Sequence, residues 1–215
     1  MNQIVELLRL PSPTPTPQAL AFDGARLWVG SRDTHRILSI DPAEWTARDE
    51  GEAPNVPWGM TAVAEEFRVI AGDADGDRFV HRFVPGHGFA TEGTFRAPDG
   101  TGSQLSWDGD VLYISQWYKQ QFVGVDADGD VLGVTKAPHQ ICGQTIVDGC
   151  FYAVTTDDEE SGVYWLTRVD ARGAEPVASD LAIIPFPARA LAFDGERFWT
   201  NHRAADQIVA FERPD

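Results

Sequence analysis

The chain has 215 residues, of which 43% are apolar and 11% aromatic, with 33 Asp and Glu against 17 Lys and Arg and a formal charge of −16 at neutral pH. Its many Trp, Phe and Tyr residues give it too much to bury for a disordered chain, and apolar runs such as residues 181–184 fall far short of the roughly 18–20 needed to cross a bilayer. The negative charge repels phosphate backbones and anionic lipid, and the arginines are scattered rather than striped, so neither nucleic acid nor membrane is an expected partner.

Residues 3–10 have strand-like composition, and Glu6 and Arg9 interrupt any signal-peptide core, which gives a cytoplasmic protein as the expectation. Residues 11–17, Pro-Ser-Pro-Thr-Pro-Thr-Pro, form a stiff extended connector. From there a unit recurs. Segments beginning at Gln18, Gly59, Gln104, Gln144 and Arg189 read alike, and their shared apolar positions Leu27, Phe67, Leu112, Phe151 and Phe198 are 40, 45, 39 and 47 residues apart. Each unit has an inner run, a turn that is Asp-Gly in four of the five, a second run, a loop, a third run and a weaker outer strand. Both residues of Asp-Gly can adopt positive φ, so a two-residue hairpin is expected at each.

Four short strands in a unit of about 40–45 residues, repeated, mark a β-propeller. The expected fold is all-β and five-bladed, with blades over residues 18–57, 58–101, 102–140, 141–187 and 188–215. The fifth unit stops after its third strand. Residues 3–10 are therefore expected to complete it, which also hides an open sheet edge. Cys142 and Cys150 flank the turn at Asp148-Gly149 near opposite ends of a strand, beyond the reach of a disulfide, and are expected as free thiols.

In such a ring the starts of the inner strands and the loops between second and third strands open on one end of the central channel. The inner-strand starts are Gln18, Trp58, Gln104, Gln144 and Arg189, with His139 just before the fourth. The loops are residues 31–36, 73–77, 116–120, 156–161 and 201–206, which bring Trp117, Tyr118 and His202 to the same mouth. Unlike the fold-forming positions, these differ from blade to blade. Amides, an arginine, aromatics and histidines converging on one opening suit a polar small molecule or a peptide end. Amides at strand starts can equally satisfy the backbone of neighbouring blades. Neither 73–77 nor 126–130 has the full ligand spacing of a calcium loop, so no metal or cofactor is expected.

The stretch Leu20-Ala-Phe-Asp-Gly-Ala-Arg-Leu-Trp-Val29, followed by Arg36-Ile-Leu-Ser-Ile-Asp41, resembles the repeats of virginiamycin B lyase and gluconolactonase-like propellers. In blade count the chain is similar to the glutamine cyclotransferases of plants and bacteria, which convert N-terminal glutamine into pyroglutamate. Their first inner strand reads Thr-Gln-Gly-Leu, here Pro17-Gln18-Ala19-Leu20, and their second reads Glu-Gly-Leu-Thr, here Trp58-Gly59-Met60-Thr61. The resemblance implies Gln18 as a funnel residue and places Trp58 where that family has its acid/base glutamate.

Three functions stay open. A lyase, cyclase or hydrolase would use His139 or His202 as proton shuttle, Arg189 as anion clamp, and Gln18, Gln104 and Gln144 to orient the substrate. A binding module would use Trp58, Trp117 and Tyr118 as stacking surfaces. A protein-interaction scaffold would instead present a broad apolar face. A monomer is the expected state.

Overall fold

The computed structural model describes residues 1–160 and 162–214. Ser161, in the loop expected over 156–161, and Asp215, at the end of the fifth unit, lie outside the described residues. Twenty strands form five antiparallel four-stranded sheets, the blades of a five-bladed β-propeller.

Blade 1 contains β2 (Pro17–Phe22), β3 (Leu27–Ser31), β4 (Arg36–Asp41) and β5 (Thr46–Glu52), from the channel outwards. Blade 2 follows with β6 (Pro57–Val63), β7 (Glu66–Gly72), β8 (Arg78–Val84) and β9 (Gly88–Arg96). Blade 3 has β10 (Leu105–Trp107), β11 (Leu112–Gln116), β12 (Gln121–Val125) and β13 (Val131–Lys136), and blade 4 has β14 (Gln140–Val147), β15 (Cys150–Thr156), β16 (Tyr164–Asp170) and β17 (Val177–Ile184). Blade 5 is built from β18 (Ala188–Phe193), β19 (Arg197–His202) and β20 (Gln207–Glu212), and its outer strand is β1 (Glu6–Pro11). Among the described residues no helix is long and apolar enough to cross a membrane.

The core is divided among five seams. One apolar cluster lies between each pair of neighbouring blades, including the seam between blades 5 and 1 that closes the ring. Strand geometry dictates this, because successive side chains point to opposite faces. Ala19 and Ala21 of β2 enter the seam with blade 2, whereas Leu20 enters the seam with blade 5 beside Trp199. Inner strands are thus buried on both faces and read as continuous apolar runs, while outer strands such as β5 and β13 are mostly exposed.

The closing strand pairs Leu8 with Ala210, Arg9 with Val209 and Leu10 with Ile208. Its lead-in continues into blade 4, where the Ile4 N–H donates to the Ile183 carbonyl and the Ile183 N–H donates to the Asn2 carbonyl, each at 2.9 Å. Ile4 is buried in the seam between blades 4 and 5. The proline-rich connector crosses the mouth end of the ring. Ser31 Oγ donates to the Pro15 carbonyl at 2.7 Å, and the Thr16 N–H donates to Asp206 Oδ1 at 2.7 Å.

The turns correct one expectation. Only Asp148-Gly149 is a two-residue hairpin with positive φ at both residues, joining Val147 to its partner Cys150. At Asp23, Asp108 and Asp194 the aspartate keeps negative φ and its side chain caps a longer turn. Asp23 Oδ1 accepts from the N–H groups of Ala25 and Arg26, and Asp194 Oδ1 from those of Glu196 and Arg197. The second carboxylate oxygen accepts the indole N–H of Trp28 at 2.6 Å in blade 1 and of Trp199 at 2.8 Å in blade 5. The repeated Asp-Gly-x-Arg-x-Trp is therefore one turn with its own hydrogen-bond partner five residues on.

Neighbouring inner strands approach so closely that some positions admit no side chain. A Cβ on Gly59 would lie 2.6 Å from Gln104 Cα, and one on Gly143 would run into the backbone of Ala190. Gly143→Ala is expected to lower stability by about 1–3 kcal/mol through overpacking at the seam of blades 4 and 5, read as a fall in melting temperature.

Candidate functional site: an arginine-lined funnel

Four inner strands carry a register irregularity near their start, which turns a side chain out of the ladder and into the channel. The pairing of β2 with β3 skips Gln18, that of β6 with β7 skips Trp58, and that of β14 with β15 skips Cys142. In β18 the shift follows Arg189. Together with Gln104, just ahead of β10, these five residues, one from each blade, line a cavity of about 270 Å³ at the mouth. The loops and the head of β8 add a second tier to which every blade contributes: Arg32, Arg78, Tyr118 with Trp117, Glu159 and Arg203.

The wall is tied together through the backbone of Trp58. Its carbonyl accepts from Gln104 Nε2 at 2.7 Å and Gln18 Nε2 at 3.3 Å, and its indole donates to the Gly72 carbonyl at 2.9 Å. Both amides thus hold neighbouring blades together while lining the cavity. Arg78 lies over the Trp58 ring with its guanidinium 4.1 Å from the centroid, and Arg32 approaches the same ring at 5.8 Å. Arg203 Nη1 donates to Gln18 Oε1 at 2.6 Å. Arg189, nearly buried, donates to the Tyr164 hydroxyl at 3.1 Å and forms an ion pair with Glu159 at 2.8 Å.

The charge here opposes that of the whole molecule. Four arginines and one glutamate line the cavity, a formal surplus of three positive charges within a chain of −16. Among the described residues Arg32, Arg78 and Arg203 have no carboxylate within ion-pair distance, and Arg26 is the only other arginine of which this is true. Burial pushes the Arg203 pKa down, and repulsion from Arg189 and Arg32 pushes it the same way. Burial also lowers that of Arg78. Burial alone would lower the Arg189 pKa as well, but Cys142, Tyr164 and Glu159 raise it above its usual value.

Six of the nine residues expected at the mouth are there: Gln18, Trp58, Gln104, Trp117, Tyr118 and Arg189. Three are not. Gln144 sits deeper, opposite Ala153, in the register held by Leu20 opposite Val29, Met60 opposite Val69 and Leu105 opposite Ile114. It lines a separate cavity of about 180 Å³ with Leu20, Met60, Leu105 and Leu191. Its amide donates to the Tyr113 carbonyl at 2.9 Å, a tie between blades 3 and 4. The reason is the turn, since blade 4 has the two-residue hairpin where blades 1, 3 and 5 have the longer one. Equal spacing to Asp-Gly then means a different register.

His139 and His202 lie outside the cavity lining. His139 is clasped between Asp157, 2.7 Å from Nδ1, and Asp180, 3.3 Å from Nε2, and stacks on Trp165. His202 stacks on Phe186 with Arg9 at 3.4 Å, beside the closing strand, and burial lowers its pKa. Among the described residues no group of three or more His, Cys, Asp or Glu is arranged to hold a metal ion.

Arg32, Arg78, Arg203, Glu159 and Cys142 were not singled out by sequence. One signal for Cys142 existed. A small residue follows the channel residue in Gln18-Ala19, Trp58-Gly59, Cys142-Gly143 and Arg189-Ala190, because adjacent inner strands leave no room for more. Cys142 and Cys150 are both buried free thiols. Burial, with Glu159 adding to it, pushes the Cys142 thiol up to about 11 against the pull of Arg189. Native protein at neutral pH is accordingly expected to leave Cys142 unalkylated by iodoacetamide, with labelling only after unfolding, as read by peptide mass spectrometry.

No protein-family model matches the chain, and no curated protein matches it. Similar solved structures share its fold at low identity. The PQQ-bound form of aldose sugar dehydrogenase from Streptomyces coelicolor matches with a TM-score of 0.57 and 13% identity, over 98% of each chain. A catalytically inactive virginiamycin B lyase variant from Staphylococcus aureus, with quinupristin, matches with a TM-score of 0.58 and 13% identity, over 96% of this chain and 98% of that one. A chain of a mitotic checkpoint complex matches with a TM-score of 0.59 and 10% identity, over 100% of this chain and 94% of its own length. Proteins so different in their work show a shared propeller and no shared activity.

Proposed function

We propose that this propeller binds a small anionic molecule, bearing carboxylate or phosphate, in its arginine-lined funnel. The observation that carries this reading is the trio Arg32, Arg78 and Arg203, gathered at one cavity without carboxylate partners in a chain where acidic residues outnumber basic ones 33 to 17. Charges withdrawn from water cost several kcal/mol each unless opposed.

The cations form an arc. Arg189 and Arg203 come from blade 5, Arg32 from blade 1 and Arg78 from blade 2. Guanidinium groups present planar forks of donors that match carboxylate and phosphate oxygens. The volume, at the small end for ligand cavities, suits a compact molecule. Binding is favoured over the lyase or cyclotransferase reading because His139 and His202 stand outside the cavity, which leaves Glu159 as the one carboxylate on its wall.

Calorimetric titration with inorganic phosphate and with citrate at low ionic strength tests the reading. Binding heat is expected for at least one probe, and its absence for both overturns the proposal. Arg203→Gln and Arg78→Gln are each expected to weaken binding about tenfold or more, since hydrogen bonds to charged groups contribute roughly 1.5–3 kcal/mol. Arg203→Gln also removes the repulsion from Arg189 and Arg32, so the ligand-free melting temperature is expected to stay level or rise.

A further inference from the structure

The cationic arc covers blades 5, 1 and 2, and blade 3 faces it with a different chemistry. Where blades 1, 2 and 5 place an arginine in the second tier, blade 3 places Trp117 and Tyr118. The two rings meet edge to face at a centroid distance of 4.5 Å. Trp117 is anchored, packed against the seam of blades 4 and 5. Tyr118 is 85% exposed, the most exposed aromatic ring in the described chain, yet it stands at the cavity rim. The Trp117 indole N–H is buried and directed at the Cys142 sulfur, which helps to hold the ring in place.

An exposed tyrosine steadied by an anchored tryptophan forms a stacking surface. It stands at the same opening as donors suited to an anion. Resting on the anion-binding reading above, we infer that the funnel's ligand carries its acidic group on a planar ring. The ring stacks on the exposed Tyr118, which Trp117 braces edge to face, and the anion reaches Arg78, Arg32 and Arg203. The cavity of about 270 Å³ fits one such ring with its acid better than a long chain.

The probes are inorganic phosphate against phenyl phosphate, and acetate against benzoate, titrated by calorimetry into the full chain. The aryl member of at least one pair is expected to bind about tenfold or more tightly than its partner, in line with the strength of ring stacking on exposed aromatics. Whichever pair shows the preference identifies phosphate or carboxylate as the acid. Tyr118→Ala is expected to remove most of the aryl preference, and Tyr118→Phe to keep it. Because the side chain is exposed, both variants should melt with the parent. Equal affinity within both pairs overturns this inference and leaves the anion reading standing, as does an aryl preference that survives Tyr118→Ala. Failure of all four probes overturns this inference, and if citrate gives no heat either, the anion reading falls with it.

Discussion

The pairing of β1 with β20 turns five sheets into a ring. Every seam needs a blade on each side, and each inner strand is buried on both faces, so an open arc would leave two apolar blade faces in water. The first strand covers the edge of blade 5, and the residues before it lace onto blade 4 through Ile4. The mouth depends on that closure. Arg189 and Arg203 belong to the blade so completed, and Arg203 meets Gln18 across the seam with blade 1.

Much of this architecture was legible because it repeats. Apolar runs, Asp-Gly turns and a spacing near 43 residues mark five blades, and the absent fourth strand of the last unit points to the segment that supplies it. What repetition could not convey was register. Gln144 and Gln104 stand at equal distances from their Asp-Gly turns, yet Gln144 lies inside a strand that ends in a two-residue hairpin and Gln104 precedes a strand that ends in a longer turn, so the two side chains occupy different layers. His139 and His202 were near the right loops in sequence, but flanking carboxylates hold the first and the closing strand covers the second. Cys142 was hidden by the same register offset that misplaced Gln144.

The funnel's charge was hidden for another reason. Scattered along the sequence, Arg32, Arg78, Arg189 and Arg203 look like ordinary surface cations, and net charge argues against any basic site. Only the ring brings them to one opening, each from the tier where its blade contributes a single side chain. Elsewhere the excess of acid serves arginine well, as in the Arg96 pair with Asp77 and the Arg197 pair with Asp194. On the proposed reading, long-range repulsion from a negative surface would slow an approaching anion, whereas the local surplus would hold it once inside.

Trp58 is fastened at three points: two amides grip its carbonyl, and its indole is tethered to Gly72. A wall fastened before any guest arrives surrenders little rotational freedom on contact. For a ligand of the kind proposed, selectivity on that side of the chamber would be a matter of shape and charge set in advance, and the cost of adjustment would fall on the guest.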